Sequence, residues 1–285
     1  MANTGGSFSG NVLKGIRYRV NKLASAEDKK AGLNWYKKWK LKHLPYNSPH
    51  TFDLNGKKVY FNNGQELLHS LKEIFVEEIY KIPFTNPSPY IIDCGANIGL
   101  AILYLKSKHP GAKITAFEPD KTNYSFLQKN INSAGLTDVE LRNEAVWKED
   151  AILKFSNEGT LSSKITEGGN AQNTVEVKAT RLKNLLSRPV DFLKIDIEGA
   201  EYEVLKDCAE SLKNVQFLFI EFHGHFEKMF ELTDILQLVQ DNGFAYYIRE
   251  ASMAYANPFY RGKKPIYDLQ LNIFCFRMGI STDFK

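Results

Sequence analysis

From Tyr90 onward, short apolar runs alternate with stretches whose apolar residues recur at helical spacing, and this alternation restricts the fold more than any other feature of the chain. It reads as strands at 90–94, 113–118, 138–146, 191–197, 215–222, 244–249 and 268–276, with helices at 98–108, 121–134, 200–212 and 227–242. Strands joined through helices run parallel, and a parallel sheet must be covered on both faces. The expected fold is therefore α/β, a doubly wound domain on a mostly parallel seven-stranded sheet. Between 151 and 180 the alternation breaks: ILKF and TVEVKA flank a stretch rich in Gly, Ser and Asn, which predicts an inserted β-hairpin. Upstream, TFDLNGKKVYF (51–61) carries Asn55-Gly56 between alternating segments, a hairpin signal, and 64–80 has the period of an amphipathic helix. Pro83, Pro87 and Pro89 then mark a linker. The expected organisation is a basic arm over 1–50, helical in part, then a hairpin, helix and linker over 51–89, and the α/β domain over 90–285.

Composition excludes several classes. The 285 residues are 43% hydrophobic and 25% charged, ordinary for a soluble protein with a substantial core. The longest apolar runs are broken by charge or glycine and are too short to span a bilayer, and MANTGGSFSG has no apolar core of a secretory signal. Cys94, Cys208 and Cys275 are odd in number and far apart, which argues against a disulfide framework or a CxxC site and for small buried hydrophobes in a reducing cytoplasm. A net charge of +4 does not call for a polyanion, and no nucleic-acid partner is expected. The charge is uneven, however: residues 1–44 hold ten Lys and Arg against Glu27 and Asp28, so this segment is +8 and the remainder −4. WYKKWKLKHL, with Trp35 and Trp39 four residues apart, reads first as a solvated arm whose tryptophans pack on the main body. The competing reading is a membrane-surface or nucleic-acid role for the arm; no aromatic-basic RNA motif accompanies the charge, and peripheral membrane association would place a cytoplasmic protein at the inner face of the membrane.

In a doubly wound sheet, ligands bind beyond the carboxyl ends of the strands. The first strand ends in Asp93, Gly95, Asn97 and Gly99, a turn in which glycines let the backbone approach a ligand closely. A dinucleotide site would read GxGxxG, but GANIGL puts Asn97 where the second glycine would fall, which favours a donor without a pyrophosphate. Glu118, about twenty residues beyond the turn, is spaced to accept hydrogen bonds from ribose hydroxyls; alone, it reads as a helix-terminal charge. At the end of the third strand, Asn143 and Glu144 could reach an adenine edge and Ala145 its face.

DCGANIGL, FEPD, LKIDIEGAE and IEFH together resemble the FkbM family of S-adenosylmethionine-dependent methyltransferases, over residues 60 to 276 and most specifically at LKIDIEGAE. The resemblance implies a class I methyltransferase (Rossmann-like) fold, S-adenosyl-L-methionine as cofactor, and O-methylation, often of a sugar hydroxyl in a glycan, glycolipid or glycosylated metabolite. A carbohydrate-containing acceptor is the partner it implies.

The residues of DFLKIDIEGAEYEVLK also read on their own. Lys194, Asp196 and Glu198 alternate onto one side of a strand, and Glu221 and His223 share a side of the next. Lys194 is expected either in the catalytic set or, as the favoured reading, in a buried ion pair with Glu221 that locks the two strands. An attacking alcohol must lose its proton, so His223 is expected as the general base, with Asp196 either orienting it or contacting the donor or acceptor. Glu198 and Glu201 are expected to contact the acceptor, Glu201 equally well to serve as a helix-terminal charge. The alternative chemistry is a divalent cation held by Asp196, Glu198 and His223. The long connection at 246–267 offers Tyr255, Tyr260 and Arg261 for stacking on sugar rings and for acidic substituents; otherwise it folds back and buries its own tyrosines. The helix at 64–80 is expected as a lid over the donor, with Tyr80 reaching it. Two rivals remain open: a nicotinamide-dependent oxidoreductase, which leaves LKIDIEGAE unexplained, and a non-catalytic methyltransferase-like binding protein.

Overall fold

The computed structural model describes residues 26–156, 174–260, 262 and 264–278. They form two compact units. One takes the described residues up to Lys81 with Ile98–Leu105 and Ser125–Leu136; the other takes Ile82–Asn97, Lys106–Tyr124 and the described residues from Thr137 on. The sequence-expected boundary near residue 90 therefore differs from the spatial division, because parts of two later helices belong with the upstream segment.

In the first unit, helices α1 (Ala26–Lys30) and α2 (Trp35–Lys42) precede a hairpin of β1 (His50–Leu54) and β2 (Lys57–Phe61). Asn55 and Gly56 at its tip both have positive φ, 52° and 85°, the backbone that a two-residue hairpin turn requires. Helix α3 (Gly64–Leu71) starts at Asn63, whose side chain accepts from the amides of Gln65 and Glu66, and continues as a π-helical turn over Lys72–Val76. It stops before the expected end at 80, where Glu78 adopts a left-handed φ of 54°. Asn130 joins this unit internally, accepting from the Tyr60 amide at 2.6 Å and donating to the carbonyls of Tyr60 and Ile98. Trp35 and Trp39 correct the favoured sequence reading: they are 58% and 50% exposed, and the buried residue of α2 is Leu41. The reason is register, since Leu41 alone of the apolar side chains points inward. The rest of the basic arm lies outside the described residues.

The second unit is built on seven strands in the order β5 (Val139–Arg142), β4 (Lys113–Phe117), β3 (Tyr90–Cys94), β9 (Val190–Ile195), β10 (Val215–Gly224), β12 (Leu269–Arg277) and β11 (Phe244–Ser252). The pairs from β5 through β10 are parallel, while β12 is antiparallel to both its neighbours. Helices α4 (Leu100–Lys108), α5 (Lys121–Ser133), α6 (Leu182–Leu185), α7 (Glu201–Cys208) and α8 (Phe230–Asp241) separate the strands along the chain. From β3 the chain steps outward to β4 and β5, then returns on the other side of β3 as β9. That reversal makes a switch point between the ends of β3 and β9. Ile92, Cys94, Leu193, Ile195 and Ile220 are fully buried around it.

One expected strand divides. Residues 138–146 give β5 in the main sheet and β6 (Ala145–Trp147) in a three-stranded sheet with β7 (Ala151–Ser156) and β8 (Thr174–Arg181). The break falls at Asn143, whose amide donates to the carbonyls of Glu118 and Pro119 and so draws the chain away from the sheet. The antiparallel pair β7–β8 is the hairpin expected from ILKF and TVEVKA. Cys94, Cys208 and Cys275 are free and buried, as small hydrophobes should be. Among the described residues no helix is long and apolar enough to cross a membrane.

Candidate active site

Three of the four expected donor-turn residues meet at the switch point. Gly95 has φ 86°, and a Cβ there would stand 1.8 Å from the Asp196 carbonyl oxygen, so only glycine lets the turn after β3 pass the end of β9. The amides of Gly95 and Ala96 both donate to the Phe117 carbonyl, tying this turn to the end of β4. Asn97 is left-handed at φ 49° and donates its amide to Glu118 Oε2 at 2.8 Å. Gly99 acts differently: its Cβ would fall 2.6 Å from Leu127 Cδ1, so its role is close packing in the first unit.

Asp93 is fully buried, opposite Lys194 in the β3–β9 register. Lys194 Nζ lies 3.2 Å from its Oδ1, yet neither Asp93 oxygen receives a directed hydrogen bond, and burial raises its pKa against the pull of that lysine. Lys194 also donates to the Gly95 carbonyl at 2.7 Å and to Asp196 Oδ2 at 3.0 Å. The partner favoured from the sequence was Glu221. The register instead sets Lys194 opposite Phe219 on β10 and Asp93 on β3, so its cation serves the donor turn.

Glu118, buried at the end of β4, accepts from the Asn97 amide with one oxygen and the Asp120 amide with the other. Burial outweighs these bonds and raises its pKa to about 8. Beside it, Asn143 spends its amide hydrogens on the Glu118 and Pro119 carbonyls, which fixes the loop and leaves its oxygen to accept. Glu144 is a correction. Its carboxylate accepts from Lys178 Nζ and Thr180 Oγ1 on β8, and although burial acts against it these bonds hold its pKa below the ordinary value, so it braces the small sheet and does not face an adenine edge. Ala145 is buried against Val177 and Ala179. Tyr80 is buried in the first unit.

The second cluster follows β9. Glu198 and Gly199 both have positive φ, 56° and 95°, and the turn they make is capped by Glu201, whose carboxylate accepts from the Ile197 and Gly199 amides. Strain at a non-glycine residue, about 1–3 kcal/mol, persists where the surroundings enforce it. Glu201 is expected from the sequence either as an acceptor contact or as a helix-terminal charge; it is 1% exposed and caps, so the second holds. The same Oε1 meets His223 Nδ1 at 3.0 Å, while His223 Nε2 lies 3.7 Å from both Glu198 and Glu221.

This environment corrects the expected base. His223 is 4% exposed and covered by the Tyr267 ring at 4.8 Å. Burial opposes its charged form, but the carboxylates of Glu201, Glu198 and Asp196 prevail and raise its pKa to about 10. These carboxylates favour the imidazolium at neutral pH, a form with no lone pair to offer. Glu198 is the more open group: burial, against the pull of His223, raises its pKa to about 7, and it lines a cavity of about 350 Å³ with Ser252, Met253, Ile266, Tyr267 and Gln270. Tyr267 donates to the Glu198 carbonyl at 2.8 Å. For a cation, Asp196, Glu221 and His223 bring ligand atoms within 4.8 Å of one another, with Glu221 where Glu198 was expected.

The acceptor residues divide. Tyr255 donates to Asp268 Oδ1 and stacks on Phe226, so it anchors the connection after β11. Tyr260 is 84% exposed, and Arg261 lies outside the described residues. Tyr267 and Gln270 were missed as site residues. Gln270 is paired with His223 across β10 and β12, a register that no local pattern reveals.

The residues fit S-adenosylmethionine. A cradle that a Cβ would fill, a buried aspartate beside Lys194 and a buried glutamate at the end of the next strand stand at one switch point. The sheet order, with only β12 reversed, is that of a class I methyltransferase. Residues 93–246 match the Methyltransferase FkbM domain. Methyltransferase 1 of Beauveria bassiana is 32% identical over 219 residues, covering 66% of this chain and 84% of that protein. The 31-O-demethyl-FK506 methyltransferase FkbM of Streptomyces tacrolimicus is 33% identical over 227 residues, covering 67% and 86%. Hexuronic acid methyltransferase AglP of Haloferax volcanii is 28% identical over 144 residues, covering 46% and 55%. With its own sheet, donor turn and matched domain in agreement, the chain belongs to the FkbM family of S-adenosylmethionine-dependent methyltransferases.

Proposed function

We propose that the chain methylates a hydroxyl oxygen of a sugar, in a glycan, glycolipid or glycosylated metabolite, with Glu198 as the group that takes the hydroxyl proton. The observation that carries this is the position of Glu198: a strained residue at the mouth of a cavity, with His223 behind it and Glu201 behind His223. S-Adenosylmethionine, when bound, supplies a methyl group on a positively charged sulfur. Gly95, Asn97 and Asp93 would hold its methionine side, Glu118 its ribose and Ala145 its adenine face. An alcohol attacks well only as its proton leaves, and a carboxylate titrating near 7 is matched to that task at neutral pH. His223, cationic, keeps Glu198 and Asp196 in place and disfavours protonation of Glu198; Glu201 fixes the imidazole through Nδ1. Ser252, Tyr267 and Gln270 offer polar contacts to ring hydroxyls, and Met253 and Ile266 an apolar wall. The name of one relative prints an oxygen position and supports transfer to oxygen, and the name of another prints a hexuronic acid and supports a sugar acceptor.

The test is release of S-adenosylhomocysteine across a panel of free sugars, glycosides and hydroxylated metabolites, followed by kcat/KM against pH for the accepted compound. Glu198→Gln should lose about 10²–10⁴-fold and the limb of the profile near pH 7, with donor affinity unchanged. A protein that binds the donor and methylates nothing in the panel, or a Glu198→Gln enzyme with the wild-type profile, defeats the proposal. A second arrangement has its own support, the anchoring of Nδ1 by Glu201, which resembles the carboxylate–histidine pairs that orient metal ligands. In it, His223 would give up its proton and, with Asp196 and Glu221, hold a divalent cation. Activity that falls with EDTA and returns with Mg²⁺ or Mn²⁺ would favour it over Glu198 as base.

A further inference from the structure

Helix α2 turns its aromatic side outward. At about 100° per residue, Trp35, Trp39 and Tyr36 share one side, and Leu41, the buried residue of the helix, stands about 160° from Trp39. A helix of a soluble domain normally puts its apolar stripe inward and its charges outward. Here Trp35, Tyr36 and Trp39 are 58%, 52% and 50% exposed. Lys42 lies on one side of this crest and Lys40 on the other; both are exposed, and neither makes an ion pair among the described residues. Lys37 is turned inward, donating to the Gly32 carbonyl and lying over the Phe52 ring, and Lys38 pairs with Asp28. The helix itself contains no acidic residue.

From this arrangement we infer that α2 docks the protein on an anionic lipid bilayer, its tryptophans and Tyr36 entering the headgroup region and Lys40 and Lys42 meeting lipid phosphates. Indole and phenol rings are at home in that region because each is apolar with one polar atom, and lysines beside them gain from the negative surface potential. Single-stranded nucleic acid is the other polyanion that aromatic and basic groups recognise, but its bases stack inside charged grooves. The aromatics of α2 form a convex crest, which suits a broad deformable surface. The inference does not depend on the acceptor or on the base.

The test is co-sedimentation of the full chain with vesicles of phosphatidylcholine, with and without phosphatidylglycerol, at low and high salt, with tryptophan emission recorded in parallel. The expected result is binding to the phosphatidylglycerol vesicles that weakens with salt, accompanied by a blue shift. Trp35→Ala with Trp39→Ala should lower the partition coefficient by about tenfold or more, as should Lys40→Gln with Lys42→Gln on the anionic vesicles. All four positions are exposed, so both variants should melt with the wild type; should the tryptophan pair fail to fold, the lysine pair still decides the matter. Absence of binding at low salt, or equal binding by wild type and both variants, overturns the inference. So does a self-association removed by the tryptophan substitutions, or retention of oligouridylate, in a protein that ignores vesicles.

Discussion

Replacing Gly95 by alanine should damage the donor site far more than its one added methyl suggests. The new Cβ would lie 1.8 Å from the Asp196 carbonyl oxygen, and real contacts of this kind do not fall below 3.0 Å, so the ends of β3 and β9 must separate by about 1.2 Å. The bonds at risk are Asp196 N to Cys94 O at 3.1 Å and Lys194 Nζ to Gly95 O at 2.7 Å. Their loss is worth about 0.5–1.5 kcal/mol for the first and about 1.5–3 kcal/mol for the second, which is charge-assisted. A left-handed alanine adds about 1–2 kcal/mol. The sum is about 3–6.5 kcal/mol, and displacing Asp196 by an ångström should cut turnover by about 10²-fold. Gly135→Ala is the control: its φ is also positive, 62°, but its Cβ meets nothing within 4 Å, so it should cost only the backbone strain. Urea unfolding of both variants gives the stability difference, and calorimetric titration with S-adenosylmethionine gives the donor affinity. If Gly95→Ala is destabilised no more than Gly135→Ala and binds the donor like the wild type, the close approach at the switch point does not matter and the reasoning fails.

Three further expectations rest on other groups. Glu118→Ala should weaken S-adenosylmethionine binding by about tenfold or more, through loss of the carboxyl group's hydrogen bonds to the ribose; unchanged affinity in calorimetry removes the ribose assignment. His223→Ala should spare donor binding and reduce turnover, because Glu198 and Asp196 lose the cation between them; full activity would leave His223 a purely structural group. Stability should fall as pH rises. Glu118 and Glu198 have folded pKa values of about 8 and about 7, above their ordinary 4.5, and His223 has one of about 10, above 6.5. In each case the folded state holds the proton longer. The two glutamates' contribution is complete below pH 4.5 and lost as pH passes 7 to 8; that of His223 is complete below 6.5 and lost as pH approaches 10. Urea unfolding at pH 6 and pH 9.5 should therefore show a loss that is smaller in His223→Gln, and equal losses would contradict the buried cation.

Much of this site was legible because it is local. The turn at Gly95 to Gly99, the acid at 118 and the LKIDIEGAE stretch are contiguous segments whose spacing follows from strand and helix geometry. What misled were contacts between strands distant in sequence. Lys194 could be placed on a face from the alternation of its strand, but whether it looks toward β10 or β3 depends on register, and Asp93 stands opposite it. Glu144 has the spacing of a ligand contact, but β8 lies beside β6, where Lys178 and Thr180 take its carboxylate. His223 has an ordinary pKa near neutrality as a free side chain; three carboxylates supplied by the turn after β9 and by α7 favour its cation.

The sequence by itself determined the alternation of strands and helices, the glycine turn, the family and the kind of cofactor, because all of these are written in short-range spacing. The tertiary structure decided which acid lines a cavity, which only caps a turn, and which side of α2 meets water. Those outcomes depend on burial and on neighbours brought together from far along the chain, and a charge or a ring has no fixed role until its surroundings are in place.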